Sequence, residues 1–370
     1  MKPFSFAALR LPVVFLSSFL FLLCTGNAYA QPLKVGVAGL NHDHAYGLMQ
    51  QYKKGEVIII GIAERDQQLV NRYKKKYHLP DSLFYTTVKQ MLQRVHPDAV
   101  LAYNAIADHL SVVEECAPRG VPVMVEKPLT TTVLQAQRMA ALVAQYHIPL
   151  LTNYETTWYS SNQQVYNMVK KENAVGKVKK MIVHMGHQGP REIGCSEDFL
   201  QWLTDPVKNG GGAVMDFGCY GANLMTWLMD NNKPIAVTAI TRQLKPAIYP
   251  RVDDDATILL EYANGATGII EASWNWPFGI KDWEVFGEKS YLHALNGFTL
   301  QKRDTAQYYT VAVRPAVYTS NLIYLADVLR GRIQPGTDLS SLANNLIVVQ
   351  ILEAARLSAK EGKRVVLDTQ

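Results

Sequence analysis

The chain has 370 residues, 48% of them hydrophobic and 19% charged, with a formal charge of +5 and a mean hydropathy near zero. This balance excludes a disordered or low-complexity polypeptide and supports a well-packed globular one. No basic block with interleaved aromatics is present, so nothing asks for nucleic acid as a partner.

Residues 1–30 contain Lys2 and Arg10, then the apolar run Leu11–Cys24, then Asn27-Ala28-Tyr29-Ala30. A basic start, a short apolar stretch and an Ala-x-Ala end read as a secretory signal cleaved after Ala30. The run is too short to span a bilayer comfortably, so no stable membrane span is expected after cleavage. No twin arginine is present, and Leu22-Leu23 before Cys24 do not suit lipidation. The segment takes two basic and no acidic residues with it, leaving a charge of +3 on a periplasmic or secreted protein. The remaining chain exceeds the ~250–300 residues at which single cores stop growing, which predicts two domains, 31–151 and 152–370. Cys116, Cys195 and Cys219 are too few and too scattered for a disulfide framework or a zinc site.

From residue 31 the first half alternates regularly. Strands are predicted at Leu33–Ala38, Val57–Ala63, Ala99–Tyr103, Val121–Val125 and Ile148–Leu151. Helices are predicted at Asp66–Tyr77, Asp108–Arg119 and Thr130–Tyr146. Strand, helix, strand at this spacing implies a doubly wound α/β domain around a parallel sheet. The second half predicts strands at Lys177–Gln188, Ile235–Leu244, Asp255–Tyr262, Ala266–Ser273, Trp283–Phe286 and Tyr291–Ala294, with Asn264-Gly265 as a hairpin turn. Helices return at Tyr220–Met229 and Leu339–Lys360. This half reads as an α+β domain, an open-faced and mainly antiparallel sheet with helices on one side. Ile258, Leu260, Tyr262, Ile270 and Ala272 form one apolar face, which is expected to be buried against a second copy in a homodimer or homotetramer.

Chemistry-bearing residues collect at the strand ends. After the first strand stands Gly36-Val37-Ala38-Gly39-Leu40-Asn41-His42-Asp43-His44, where a glycine lets the backbone approach a pyrophosphate. Asn41 and His44 replace the second and third small residues of the G-x-G-x-x-G pattern. Glu64 ends the second strand, where a carboxylate can accept from both ribose hydroxyls and favours NAD; Arg65 keeps NADP open. His42 and His44 lack further ligands at useful spacing, so no metal is expected. Lys127, in Val125-Glu126-Lys127-Pro128-Leu129, falls at the carboxyl edge of the sheet, where open α/β sheets bind ligands. Gly210-Gly211-Gly212 reads as a flexible entry to Asp216 and Tyr220, four apart on one helix face.

At the Glu126-Lys127-Pro128 segment and at Asp216-x-Gly218-x-Tyr220-Gly221-x-Asn223 the chain resembles the Gfo/Idh/MocA oxidoreductases, over essentially its whole length from residue 31. Tyr220, where most members carry His, is similar to the branch containing glucose–fructose oxidoreductase and the dihydrodiol and xylose dehydrogenases. The resemblance implies a Rossmann domain, an open-faced sheet domain, and NAD(P)-dependent oxidation of a sugar-like alcohol, with His109 at a family position. Cofactor contacts are expected from Gly36, Gly39, Asn41, His42, Glu64, Arg65, Asn104, His109 and Glu126. The expected chemistry uses Tyr220 as acid/base, Lys127 as the ammonium that lowers its pKa, and Asp216 to orient Lys127 or a substrate hydroxyl. Sugar contacts are expected from His187, Arg191 and Trp158. Export favours a tightly held, internally recycled cofactor. Two other readings stay open: a redox-neutral glycosidase working by oxidation, elimination and reduction, and a non-catalytic sugar-binding protein.

Overall fold

A computed structural model describes residues 31–368. The expected signal and its cleavage site lie outside the described residues.

Leu33–Ala38 (β1), Val57–Ala63 (β2), Phe84–Tyr85 (β3), Ala99–Ala102 (β4), Val123–Glu126 (β5) and Leu150–Asn153 (β6) form one sheet in the order β3-β2-β1-β4-β5-β6. All its pairs are parallel. Their near-continuous apolar sequences suit strands covered on both faces, and β4 and β5 are buried at every position. The covering helices are Ala45–Lys53 (α1), Gln67–Tyr77 (α2), Val88–Leu92 (α3), His109–Cys116 (α4) and Val133–Tyr146 (α5). Asp66 caps α2 by accepting from the Gln68 and Leu69 amides, and Thr132 caps α5 from the Gln135 amide. β3, α1 and α3 are absent from the expectations above; the first and third are short, and α1 starts without a side-chain cap.

The chain then crosses into a second sheet through Ser160–Tyr166 (α6). Val178–Gly186 (β7), Glu197–Leu203 (α7), Ala213–Asp216 (α8), Gly218–Leu228 (α9), Ala236–Arg242 (β8), Asp255–Glu261 (β9), Thr267–Ser273 (β10), Ile280–Gly287 (β11), Tyr291–Ala294 (β12), Leu300–Arg303 (β13) and Tyr308–Val311 (β14) follow. Asn321–Leu329 (α10), Leu342–Glu361 (α11) and Val365–Val366 (β15) complete it. The nine strands run β14-β13-β12-β11-β7-β10-β9-β8-β15. Every neighbouring pair is antiparallel except β7 with β10. The Asn264-Gly265 turn closes the β9–β10 hairpin, with Gly265 at φ +83°. α10 does not stay with this sheet: Leu322, Tyr324, Leu325 and Val328 join the core of β1, β2, α1 and α2.

One expectation is corrected here. Ile258, Leu260, Tyr262, Ile270 and Ala272 are all buried inside the chain, under α9 and α11, and offer no free face to a second copy. The helices come close enough because Gly218 and Gly221 have no side chain; a Cβ on Gly221 would lie 2.6 Å from Ile270 Cγ2. The outer face carries a half-exposed mixture that includes Thr257, Glu271, His184, Asp282 and His293. Among the described residues no helix is long and apolar enough to cross a membrane.

The close α9–β10 contact sets a stability test. Gly221→Ala is expected to cost about 1–3 kcal/mol by overpacking against Ile270, read as a lower denaturant midpoint with an unchanged slope.

Candidate active site

The carboxyl edge of the parallel sheet opens into a cleft of about 600 Å³ lined by Gly39, Asn41, Glu64, Arg65, Thr87 and Asn104, among others. Gly39 lies at φ +80°, and a Cβ there would fall 2.6 Å from Asn104 Cβ, so only glycine allows this close turn. Glu64 accepts from the Leu40 amide at 2.8 Å and the Asp66 amide at 2.9 Å, which holds its carboxylate against the glycine turn. Arg65 is exposed at the rim. Asn41 Oδ1, Asn104 Oδ1 and His109 Nε2 are buried atoms with no hydrogen-bond partner. Asn41 and Asn104 line the cleft, whereas His109 is fully buried and does not line it. His109 Nδ1 lies 3.0 Å from the Leu129 carbonyl, which fixes its hydrogen on Nδ1 and leaves Nε2 as an acceptor. Burial lowers the His109 pKa to about 4, keeping the ring neutral.

Three expected cofactor contacts sit elsewhere. Gly36 is inside β1, where a Cβ would meet Met91 Cε at 2.8 Å; its smallness serves packing against α3. His42 is buried against Phe199 and Trp202 of α7, and its Nδ1 accepts the His44 amide at 3.1 Å. Burial holds its pKa well below the ordinary value, with the charges of His44 and Lys127 adding to the effect. Glu126 is buried between His44 Nδ1 and Asn153 Nδ2, both at 2.8 Å. Burial alone would raise its pKa, but His44, Asn153 and Lys127 together bring it below the ordinary value. His42, His44 and Glu126 bring possible ligand atoms within 4.8 Å of one another, although hydrogen bonds already engage Nδ1 of each ring and both Glu126 oxygens.

Beside the cleft, Lys127 at the end of β5 reaches the second sheet's helices. Its Nζ donates to Asp216 Oδ1 at 2.5 Å and to the Asp216 carbonyl at 3.0 Å. Both side chains are buried. The other Asp216 oxygen accepts from Trp274 Nε1 at 3.0 Å. Burial opposes both charges, but the pairing overrides it: Asp216 lies below and Lys127 above its ordinary value. An ammonium has three hydrogens, and Lys127 uses two of them on Asp216.

Asp216 and Tyr220 do not share one continuous helix. Phe217, at φ −107° and ψ −31°, divides α8 from α9, so Asp216 ends one helix and Tyr220 lies in the first turn of the next. The preceding glycines supply closeness instead of flexibility. A Cβ on Gly212 would fall 1.7 Å from the Asp253 carbonyl oxygen, and the Asp253 carboxylate takes the Gly212 and Val214 amides at 2.8 and 2.7 Å.

The Lys127 nitrogen stands 4.9 Å from the centre of the Tyr220 ring, and that of Lys281 stands 5.6 Å away. Lys281 is itself paired with Glu155. The expected lowering of the tyrosine pKa does not occur. Burial pushes Tyr220 well above its ordinary value, and the negative charges of Glu155, Asp216 and Glu126 push the same way. The ammonium faces the ring, and its charge is already compensated by Asp216.

The three expected sugar contacts separate. His187 belongs to the site: its ring meets Phe217 edge-on at 4.9 Å, and Asp216, Lys281 and Lys127 act on its charge. Arg191 is exposed and pairs with Glu197 at 3.3 Å. Trp158 donates to Asn153 Oδ1 at 3.1 Å and packs against Tyr324. Lys281, Glu155 and Asn153 were missed. None stands in a motif, and each enters the site only through tertiary packing.

A parallel doubly wound sheet with a glycine turn at its carboxyl edge, joined to an open-faced sheet by a buried lysine–aspartate pair, defines a two-sheet dinucleotide oxidoreductase architecture. The chain belongs to the GFO/IDH/MocA family: residues 33–154 match the oxidoreductase family's NAD-binding Rossmann fold, and residues 163–293 match the GFO/IDH/MocA C-terminal domain. Rhizopine catabolism protein MocA of Rhizobium meliloti is 25% identical over 57% of this chain and 63% of its own length. Trans-1,2-dihydrobenzene-1,2-diol dehydrogenase of Xenopus tropicalis is 20% identical over 58% of this chain and 60% of its own. The matches thus span about three fifths of these relatives. Among solved structures, aldose-aldose oxidoreductase from Caulobacter crescentus, complexed with glycerol, superposes with a TM-score of 0.77 at 21% identity, covering 91% of this chain and 100% of that one.

Removing one member of the buried pair tests its energetics. Asp216→Asn is expected to cost about 3–5 kcal/mol at neutral pH, because it strands a buried ammonium. The wild-type pair holds its full contribution between the ordinary aspartate value of 3.8 and the ordinary lysine value of 10.5. It loses that contribution as pH falls through the lowered Asp216 value or rises through the raised Lys127 value. Thermal unfolding across pH checks both limbs.

Proposed function

We propose that this protein is an exported NAD(P)-dependent oxidoreductase that oxidises a secondary alcohol of a sugar, glycoside or polyol. The observation that carries this reading is the buried Lys127–Asp216 pair, set at the sheet edge with the Tyr220 ring 4.9 Å from the ammonium. The relatives named as dehydrogenases and the aldose-aldose oxidoreductase fold support the substrate class. Export rests on the leader pattern in residues 1–30.

The cleft suits a dinucleotide. Gly39 provides the close backbone approach, Glu64 stands at the ribose position, and Asn41 and Asn104 offer unpaired side-chain oxygens. These satisfiable positions favour retained nucleotide binding over a sugar-binding protein that has lost it. When bound, the nicotinamide supplies a hydride acceptor.

The chain's own groups do the rest. The third Lys127 hydrogen is directed at a substrate oxygen, where the positive charge stabilises developing alkoxide in a low-dielectric site. Asp216 keeps the ammonium charged and aimed. Tyr220 stays a phenol under burial, so it hydrogen-bonds the reacting oxygen and acts as proton donor in carbonyl reduction. His187 contributes a wall on the second-sheet side.

Two measurements test this reading. Tyr220→Phe is expected to lower turnover by about a hundredfold with NAD affinity unchanged, checked by steady-state kinetics over a panel of methyl glycosides and polyols together with calorimetric titration of NAD. Glu64→Ser is expected to move preference from NAD toward NADP, with Arg65 as the available partner of a 2′-phosphate. Tighter binding of NADP than NAD by the unaltered protein would count against Glu64 as the selector.

A further inference from the structure

Two cations face the Tyr220 ring, and each has a carboxylate partner. The Lys127 nitrogen stands 4.9 Å from the ring centre and the Lys281 nitrogen 5.6 Å. Lys127 is paired with Asp216, and Lys281 with Glu155. The pairs differ in access. The side chains of Lys127 and Asp216 are 7% and 9% exposed, whereas those of Lys281 and Glu155 are 29% and 46% exposed. Of the two pairs beside the phenol, Lys281–Glu155 is the one that a solute can reach.

Strand register puts Lys281 there. On β11 the side chains of Trp283 and Val285 enter the core, and Lys281, two residues before Trp283, lies on the same face. It stands opposite the buried Met185 of β7. The core face of the strand thus ends in a cation beside Tyr220. Glu155 opens the turn Glu155–Trp158 that follows β6. Its Oε1 accepts the Tyr159 hydroxyl at 2.5 Å, and its Oε2 accepts from Lys281. Burial alone would raise the Glu155 pKa, but Lys281 and Tyr159 bring it below the ordinary value and keep it a carboxylate.

The charges around Tyr220 leave no place for an anion. Lys127 is matched by Asp216 and Lys281 by Glu155, burial lowers the pKa of His187 and keeps its ring neutral, and Glu126 adds a further negative charge. A substrate carboxylate or phosphate would have to take Lys281 from Glu155 and leave that carboxylate unpaired beside it, a like-charge arrangement that selects against the ligand. A hydroxyl needs no such exchange. Lys281 gives one ammonium hydrogen to Glu155 and keeps two, and the Glu155 oxygens retain lone pairs, so a hydroxyl can accept from one and donate to the other.

We propose that Lys281 and Glu155 set the charge class of the substrate. With their pair intact they hydrogen-bond a hydroxyl next to the reacting carbon of an uncharged sugar or polyol, and they exclude anionic analogues with a carboxylate or phosphate at that position. The proposal rests on the oxidoreductase reading above and makes both residues determinants of specificity, with no part in hydride or proton transfer.

The test uses the full-length protein with NAD and compares neutral polyols and methyl glycosides with the aldonates, uronates and sugar phosphates of the same skeletons. Anions are scored as competitive inhibitors as well as substrates, so that one need not react in order to be counted. Wild type is expected to favour each neutral compound by about tenfold or more. Glu155→Gln, which leaves the Lys281 charge unmatched, is expected to tighten binding of the anions about tenfold and to raise KM for neutral substrates more than it lowers kcat. Lys281→Met is expected to raise KM for neutral substrates about tenfold without admitting the anions. Wild type that binds an anionic member as tightly as its neutral counterpart would overturn the proposal, as would an unchanged preference in Glu155→Gln. So would a fall in kcat with KM retained in both variants, which would place the pair in the chemical step. Wild type that binds NAD and oxidises neither set would refute the oxidoreductase reading; calorimetric titration of the same compounds then reads the charge preference separately, and equal binding or none would overturn this proposal too.

Discussion

The contact between Lys127 and Asp216 is the constraint on which the site depends. It joins the residue that follows a parallel strand to the last residue of a short helix in the other half of the chain, and both partners are buried. Such a pair is costly to desolvate and gives little net stability over an apolar substitute. Its value lies in position and charge: the ammonium cannot drift from Asp216 without stranding two charges, so its remaining hydrogen has a fixed direction. Trp274, fully buried, pins the far oxygen of the carboxylate and ties that direction to the second sheet.

Close approach by glycine is the second theme. Gly39, Gly212 and Gly221 each stand where a side chain would collide: with Asn104, with the Asp253 carbonyl, and with Ile270. The first shapes the cleft, the second seats the helix that carries Asp216, and the third seats the helix that carries Tyr220. Each serves proximity, and only Gly39 among them also needs a positive φ.

Much of the fold was legible because apolar periodicity reports burial directly. β1, β2 and β12 fall on the expected residues, and the Asn264-Gly265 hairpin forms as its turn chemistry requires. The parallel β7–β10 pair was not legible, since pairing between distant strands leaves no local mark. In the site, residues in motifs came together while the electrostatics did not follow from spacing. Lys127, Asp216 and Tyr220 meet, yet the phenol is not activated, because burial and nearby carboxylates outweigh an ammonium already compensated. The apolar face of β9 and β10 was seen correctly as a face; that α9 and α11 cover it depends on glycines four residues or fewer from Tyr220, whose consequence appears only in three dimensions.

The placement of α10 bears on how the molecule is made. Leu322, Leu325 and Val328 fill the same core as Leu33, Val35 and Val57, so nearly the whole described chain lies between partners in one packed cluster. One face of the parallel sheet is therefore completed only by a segment close to the end of the chain. Contacts of such long sequence separation slow folding, and they make the first sheet's core depend on a segment that follows all but the last strand of the second sheet in the chain.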